Sequence, residues 1–246
     1  MTFTGVGPGR ASLRALGWLA SVGASPPEPL QLVMGCSERV AYDHVRRLEA
    51  AGLVHRVPMR LGQGALIVLT RNGAQEAGQP ASRAPRSVGP STWAHASACA
   101  WVSAWLQVRG RTWWGERELL DDEDEWRYRL TYEDHRGTVR MTHRPDLAVQ
   151  IAPGPVAIEV ELQRKNAQRL RGILAMYARL SDDDGPLAGV IYITDRIDVA
   201  ELIARSADYV GLWNPAISFR TMRDVKAQAR AAVGAHGADE ATAGPA

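Results

Sequence analysis

Pro145-Asp146, and then Val156-Ala157-Ile158-Glu159-Val160-Glu161-Leu162-Gln163-Arg164-Lys165, form the stretch on which the fold turns. Ala152-Pro153-Gly154-Pro155 between them reads as a turn joining two strands. Side chains alternate faces along a strand, so Ile158, Val160 and Leu162 point one way and Glu159, Glu161 and Gln163 the other. The apolar set suits a core. Neighbouring carboxylates repel and lose hydration unless positive charge lies between them. A divalent cation supplies that charge, and hard oxygen donors suit Mg2+, or Mn2+ in its place.

A Pro-Asp on one strand, an acidic residue on the next and then a helix resemble the PD-(D/E)XK nuclease superfamily. The resemblance covers roughly residues 93–215 and implies an α/β restriction-endonuclease-like core. It assigns Asp146 and Glu159 as metal-binding and catalytic acids. Glu161 occupies the usual lysine position, a departure, and is taken as a third metal ligand. Lys165, at the start of the following helix, is the residue that can supply the missing cation. The resemblance also implies an additional acid before the Pro-Asp strand, which Glu116 or Glu118 could provide. The competing reading of Glu159 and Glu161 is a solvated strand face.

Outward from this stretch, 246 residues allow two domains of ordinary size. The two cysteines, Cys36 and Cys99, have no metal-ligand spacing and argue against a disulfide framework, which favours a reducing, cytoplasmic setting. Met1 to Pro8 lacks the basic flank and apolar run of a signal peptide, and no stretch has the length of a membrane span. Charge is unevenly placed. Residues 1–92 carry 10 Arg against 5 acids, and the remainder 19 basic against 22 acidic residues. A basic front half fits a nucleic-acid partner.

In that front half, Leu13, Leu16 and Leu19 with Trp18 have helical spacing. A second helix runs from Glu28 to Met34 and ends at Gly35. Ser37 is placed to cap a third, from Glu38 to Ala51, with Ala41, Val45 and Leu48 as its buried stripe. Leu53–Arg60 and Ala65–Thr70 around a Gly-rich turn read as a hairpin. Three helices and a hairpin resemble the winged helix-turn-helix. That resemblance implies double-stranded DNA as partner, with Ser37, Arg39, Tyr42 and Arg46 facing the major groove and Arg60 and Gln63 at the wing tip. Asp43 on the same face opposes phosphate, and winged helices also serve as dimerisation modules. His44 reads as a packed helix residue, having no second ligand at metal spacing.

The resulting organisation is an α+β two-domain chain: a winged helix over 1–78, a linker over 79–92 with Arg83 and Arg86 able to add phosphate contacts, a nuclease-like domain over 93–220 and a flexible tail over 221–246. Within the third segment, Trp93–Val108 is a helix, Trp113–Leu120 a first strand, and Trp126–Tyr132 with Val139–Thr142 a hairpin. His143 and Arg144 flank the Pro-Asp. Ala167–Leu180 is a helix packed through Leu170, Ile173, Leu174 and Tyr177. Ala188–Thr194 is a buried strand, Val199–Ala207 a helix and Tyr209–Trp213 a last strand.

The whole layout, with Arg144-Pro145-Asp146, Ile158-Glu159-Val160-Glu161 and Arg169-Leu170 followed by Ile173 and Tyr177, resembles the replication-relaxation family of bacterial mobile elements. The family implies DNA processing on plasmids or integrative elements, alongside other such proteins. Two functions remain open at this point. One is metal-dependent DNA cleavage or nicking by a Mg2+ endonuclease. The other is a non-catalytic DNA-binding accessory or transcriptional regulator with an inactive nuclease fold. A third, an adaptor that pairs as a homodimer through its winged helix, needs no DNA.

Overall fold

The computed structural model describes residues 9–59, 64–213 and 215–242, with side chains omitted at 123 and from 234 onward. The chain is an α+β protein that divides into two compact units, Met1–Ala104 with Ala229–Ala246, and Trp105–Gln228.

In the first unit, α1 (Arg10–Val22), β1 (Ala24–Ser25), α2 (Pro27–Met34) and α3 (Glu38–Ala50) precede the strands β2 (Val54–Pro58) and β3 (Ala65–Leu69). α2 stops because Gly35 takes the left-handed conformation, φ 65°, that few other residues adopt readily. The expected stripe of α3 is buried at Ala41, Val45 and Leu48. In α1 the buried set is Ala15, Leu16, Trp18, Leu19 and Ala20, while Leu13 is 41% exposed. The strands form an antiparallel sheet in the order β1-β3-β2, with Val54 opposite Leu69 and Pro58 opposite Ala65. Thr70 caps α4 (Arg71–Glu76) by accepting the Gly73 amide at 3.0 Å, and its hydroxyl reaches the Leu53 carbonyl at 3.0 Å.

A short 3-10 turn, Ala81–Arg83, lies in the stretch expected to be a linker. Val88 of that stretch, with Trp93 and Ala96 of α5 (Trp93–Val108), packs on Ala24, Leu66 and Val68. The division between units therefore falls inside α5, because the start of that helix covers the small sheet.

The second unit is built on a five-stranded sheet in the order β10-β9-β8-β7-β4. Its members are β4 (Trp113–Trp114), β7 (Leu147–Gln150), β8 (Pro155–Val160), β9 (Gly189–Ile193) and β10 (Ile217–Arg220). β4, β7 and β8 pair antiparallel, and β8, β9 and β10 parallel. The parallel pairs are connected through α8 (Ala167–Leu180) and α9 (Ile197–Val210), as parallel strands require. Between β4 and β7 lie α6 (Glu116–Asp121), α7 (Glu123–Trp126) and a separate hairpin of β5 (Tyr128–Asp134) and β6 (Gly137–His143). Leu170, Ile173, Leu174 and Tyr177 of α8 form one core with Ala157, Val190 and Tyr192 of the sheet, Leu130 of the hairpin and Val199 and Ile203 of α9.

Three expectations are corrected. The strand expected over Trp113–Leu120 ends after Trp114, because Glu118 turns back to accept the Gly115 amide at 2.8 Å and starts α6. Tyr209 belongs to α9, whose apolar period continues through Ala207 to Val210, and the last strand is Ile217–Arg220. Where a flexible tail was expected from 221, α10 runs over Met222–Thr242, with Met222, Val225 and Ala229 buried at helical spacing. Among the described residues no helix is long and apolar enough to cross a membrane.

Candidate functional site

β8 carries the site. It is buried from Val156 to Val160, so the face bearing the acids is covered as well as the apolar one. Glu159 is 2% exposed and Glu161 6%. The alternative of a solvated strand face is thereby overturned: Ala157, on the acidic face, sits in the core beneath α8.

A carboxylate at that depth needs partners. Glu159 Oε1 stands 2.7 Å from His143 Nε2 and also accepts a hydrogen bond from the Tyr177 hydroxyl. Burial pushes the Glu159 carboxyl up, but the charge and hydrogen bond of His143, the charge of Lys165 and the Tyr177 bond outweigh it, and the group titrates below the usual carboxylate range. Tyr177 is driven the other way, well above an ordinary phenol, by burial and by the charge of Glu159.

Asp146 follows Pro145 at the entrance to β7. Its Oδ2 accepts the Val160 amide at 2.8 Å, while its own amide donates to the Ile158 carbonyl at 3.1 Å. These two bonds fix the aspartate against the strand that carries the glutamates. Glu161 continues from β8, its amide held by the Ile193 carbonyl at 2.9 Å, and its Oε2 accepts from Lys165 Nζ. Burial raises the Glu161 carboxyl, Lys165 opposes the rise, and Glu159 and Asp146 add to it. Burial lowers the Lys165 ammonium, but Glu159, Glu161 and Asp146 together hold it above its ordinary value. Lys165 lies just ahead of α8, where Asn166 caps the helix by accepting the Gln168 and Arg169 amides at 2.8 and 3.3 Å.

The structure thus brings Asp146, Glu159, Glu161 and Lys165 into one electrostatic unit. Each acid is turned to a protein partner of its own, and they do not form a three-carboxylate cluster among the described residues. In kind the donors suit a hard divalent cation, since all are carboxylate oxygens. Glu159 uses Oε1 for both of its bonds, which leaves Oε2, and a cation would displace Lys165 from Glu161. Glu116 and Glu118 belong to α6, and Glu118 is engaged in its cap.

Sequence reasoning left out three contributors. The sequence marks His143 as a neighbour of Asp146, Tyr177 as a packing residue and part of the family layout, and Tyr192 as part of a buried strand, none of them as a partner of the acids. A buried tyrosine hydroxyl wants a partner, and that rule applied to Tyr177 points to Glu159. The role of His143 depends on the β5–β6 register, which puts it opposite Tyr128 at the end of the hairpin.

In the first unit, Arg39, Tyr42 and Arg46 are exposed on one face of α3, and Ser37 stands exposed at its N-terminus without making a side-chain cap. Arg56 lies over the Tyr42 ring at 5.0 Å and pairs with Glu49 at 3.3 Å. Asp43 shares the exposed surface. His44 Nδ1 is 2.8 Å from Ser12 Oγ, joining α3 to α1, as expected of a packed histidine. Arg60 and Gln63 lie outside the described residues.

The replication-relaxation family matches residues 16–191, a span that takes in α3, the whole of β8 and α8. No curated protein matches the chain. Among solved structures, the crystal structure of protein VC1899 from Vibrio cholerae is similar at 14% identity and a TM-score of 0.33, over 92% of this chain and 56% of that one. The chain therefore spans little more than half the length of that protein, and a likeness at this score supports no conclusion about fold or activity. The family match covers most of the chain, and the protein belongs to the replication-relaxation family.

Proposed function

We propose that this protein binds double-stranded DNA through a winged helix in its first unit and cleaves or nicks it, with Mg2+ or Mn2+, at a PD-(D/E)XK-like site in its second. One observation carries the reading: Asp146, Glu159, Glu161 and Lys165 act on one another at the end of the central strand β8 and ahead of α8, with Glu159 and Glu161 buried and Asp146 half-buried. Buried groups whose titration is strongly shifted by named neighbours mark candidate functional sites. From β7 onward the order strand, strand, helix, strand, helix, strand that the superfamily implies is also the order β7, β8, α8, β9, α9, β10, while α6, α7 and the β5–β6 hairpin stand between β4 and β7.

Asp146, Glu159 and Glu161 hold the cation in this reading. When bound, such an ion polarises a phosphoryl oxygen and makes water a competent nucleophile near neutral pH. The protein's own contribution is orientation and charge. The Val160 amide fixes Asp146, and His143 and Tyr177 keep Glu159 ionised and aimed. Lys165, once released from Glu161, presents its ammonium to the negative charge that builds on the phosphate. Arg39 and Arg46, with Ser37 and Tyr42, take the α3 face to the DNA.

A second reading has its own support. Lys165 bound to Glu161, and His143 and Tyr177 bound to Glu159, already stabilise these acids without a cation. This is what a non-catalytic DNA-binding accessory protein with a retired site would need. Gel shifts of duplex DNA in EDTA, together with cleavage assays of wild type and Asp146→Asn in Mg2+, separate the two. Cleavage by the wild type alone supports the nuclease. A retained shift without cleavage under any metal supports the accessory protein, and no shift at low salt removes both.

A further inference from the structure

Tyr192 packs in the core of the second unit, but its hydroxyl has no part in the chemistry proposed above. It is 1% exposed, and its hydroxyl oxygen is buried with no hydrogen-bond partner among the described residues. Tyr192 on β9 is the register partner of Glu159 on β8, so both side chains leave the same face of the sheet. Its ring is fixed from the opposite edge by Phe219 of β10, stacked at 6.3 Å between centroids and 29° between planes. The hydroxyl lies within the field of Glu159, Glu161 and Asp146, which, after burial, raise it well above an ordinary phenol. Tyr177, on the same core, shows what a satisfied hydroxyl looks like there, since it donates to Glu159. A buried polar group left unpaired is costly and is usually matched by water or an ion.

We propose that the Tyr192 hydroxyl holds a water molecule that enters with a hydrated divalent cation, making Tyr192 a positioning residue for the carboxylate site. The inference rests on the cation-binding reading given above. Mg2+ and Mn2+ are hard ions, and Mg2+ in particular sheds its waters reluctantly, so carboxylate ligands are normally accompanied by retained water that needs partners of its own. Asp146, Glu159 and Glu161 are acceptors only when ionised, whereas a phenol can donate or accept. Tyr192 is therefore suited to fix a water whose other contacts are carboxylates.

The test is a Mn2+ titration of the full chain, with free Mn2+ read by electron paramagnetic resonance, for wild type, Tyr192→Phe and Glu159→Gln, beside thermal unfolding of each in EDTA. The expected result is Mn2+ binding that is lost in Glu159→Gln and weakened about tenfold in Tyr192→Phe, the scale typical of groups that orient a metal's ligands. Unfolding of Tyr192→Phe in EDTA should occur at or above the wild-type temperature, because the hydroxyl removed has no hydrogen-bond partner among the described residues. Wild-type and Tyr192→Phe affinities that agree, with binding still lost in Glu159→Gln, would overturn the role of Tyr192 and leave the metal site standing. Absence of Mn2+ binding in the wild type would overturn both. Failure of Tyr192→Phe to fold in EDTA would make the hydroxyl structural and also overturn the inference.

Discussion

His143 Nε2 lies 2.7 Å from Glu159 Oε1, and through this contact the end of the β5–β6 hairpin is tied to the central strand of the second unit. Both side chains are largely out of water, at 11% and 3% exposed. Replacing His143 with Ala leaves Glu159 with the Tyr177 hydroxyl as its hydrogen-bond donor among the described residues. The expected cost is about 1–3 kcal/mol, the penalty for removing one partner of a buried hydrogen-bonded group. Urea unfolding at neutral pH measures it, and a cost that vanishes in a Glu159→Gln background would assign it to this pair.

The same carboxylate sets an acid limb. Glu159 titrates lower in the folded chain than its ordinary value. Its contribution is therefore present above the unfolded carboxyl pKa, about 4.3, and is lost as pH falls through the lower folded value. Glu161 has the opposite sign: its raised folded pKa gives a contribution present below the unfolded pKa and lost as pH rises through the folded value. In EDTA, Glu159→Gln should be less stable than wild type at pH 7, and the gap should narrow as pH falls below about 4. A gap that widens toward acid would contradict the assignment.

Lys165 is expected to act in two directions. In Lys165→Met the ammonium no longer competes for Glu161, so Mn2+ affinity should rise by roughly three- to tenfold. DNA cleavage should nevertheless fall, because the charge offered to the phosphate is gone. Parallel losses of affinity and cleavage would instead make Lys165 a structural support of the site.

DNA contact through α3 predicts that Arg39→Ala and Arg46→Ala weaken duplex binding. Each phosphate contact removed should flatten the slope of log affinity against log salt by about 1. A full salt titration distinguishes this from base contact, where affinity falls with little change in slope. Unaltered binding in both variants would take α3 off the interface.

Gly172 tests the packing of α8 on the hairpin. A Cβ there would meet the Tyr132 Cβ at 2.9 Å, the near end of that side chain, which cannot swing away. Gly172→Ala should therefore cost about 1–3 kcal/mol despite the better helix propensity of Ala, read by chemical denaturation.

Much of this arrangement is legible in the residues themselves. The stripe Ala41, Val45 and Leu48 and the hairpin about residues 134–137 follow from local period and turn chemistry, which any chain segment carries within itself. Glu159 and Glu161 stand out as neighbouring carboxylates whose charge needs matching, whereas Asp146 is marked through the resemblance of Pro145-Asp146 to the nuclease motif. What local pattern could not supply was depth and pairing. Alternation predicts an acidic face for β8, but its burial depends on α8 lying over it, and the His143 contact depends on hairpin register. Glu118 departs from the local pattern for a similar reason. Its spacing from Glu116 suits a strand face, yet its side chain gains more by capping Gly115. Tyr209 belongs to α9 and not to the expected strand, because the buried period Val199, Leu202, Ile203, Ser206 and Ala207 carries the helix on to Val210.

The most direct test is incubation of supercoiled plasmid with wild type and with Glu159→Gln, in Mg2+, Mn2+ and EDTA, with duplex binding by both proteins checked in parallel. Nicked or linear product formed by the wild type in metal, absent in EDTA and absent in a Glu159→Gln protein that still binds DNA, is the predicted result. Equal cleavage by the two proteins, or none by either at any metal concentration, would contradict the account of these buried acids as a metal-dependent nuclease site.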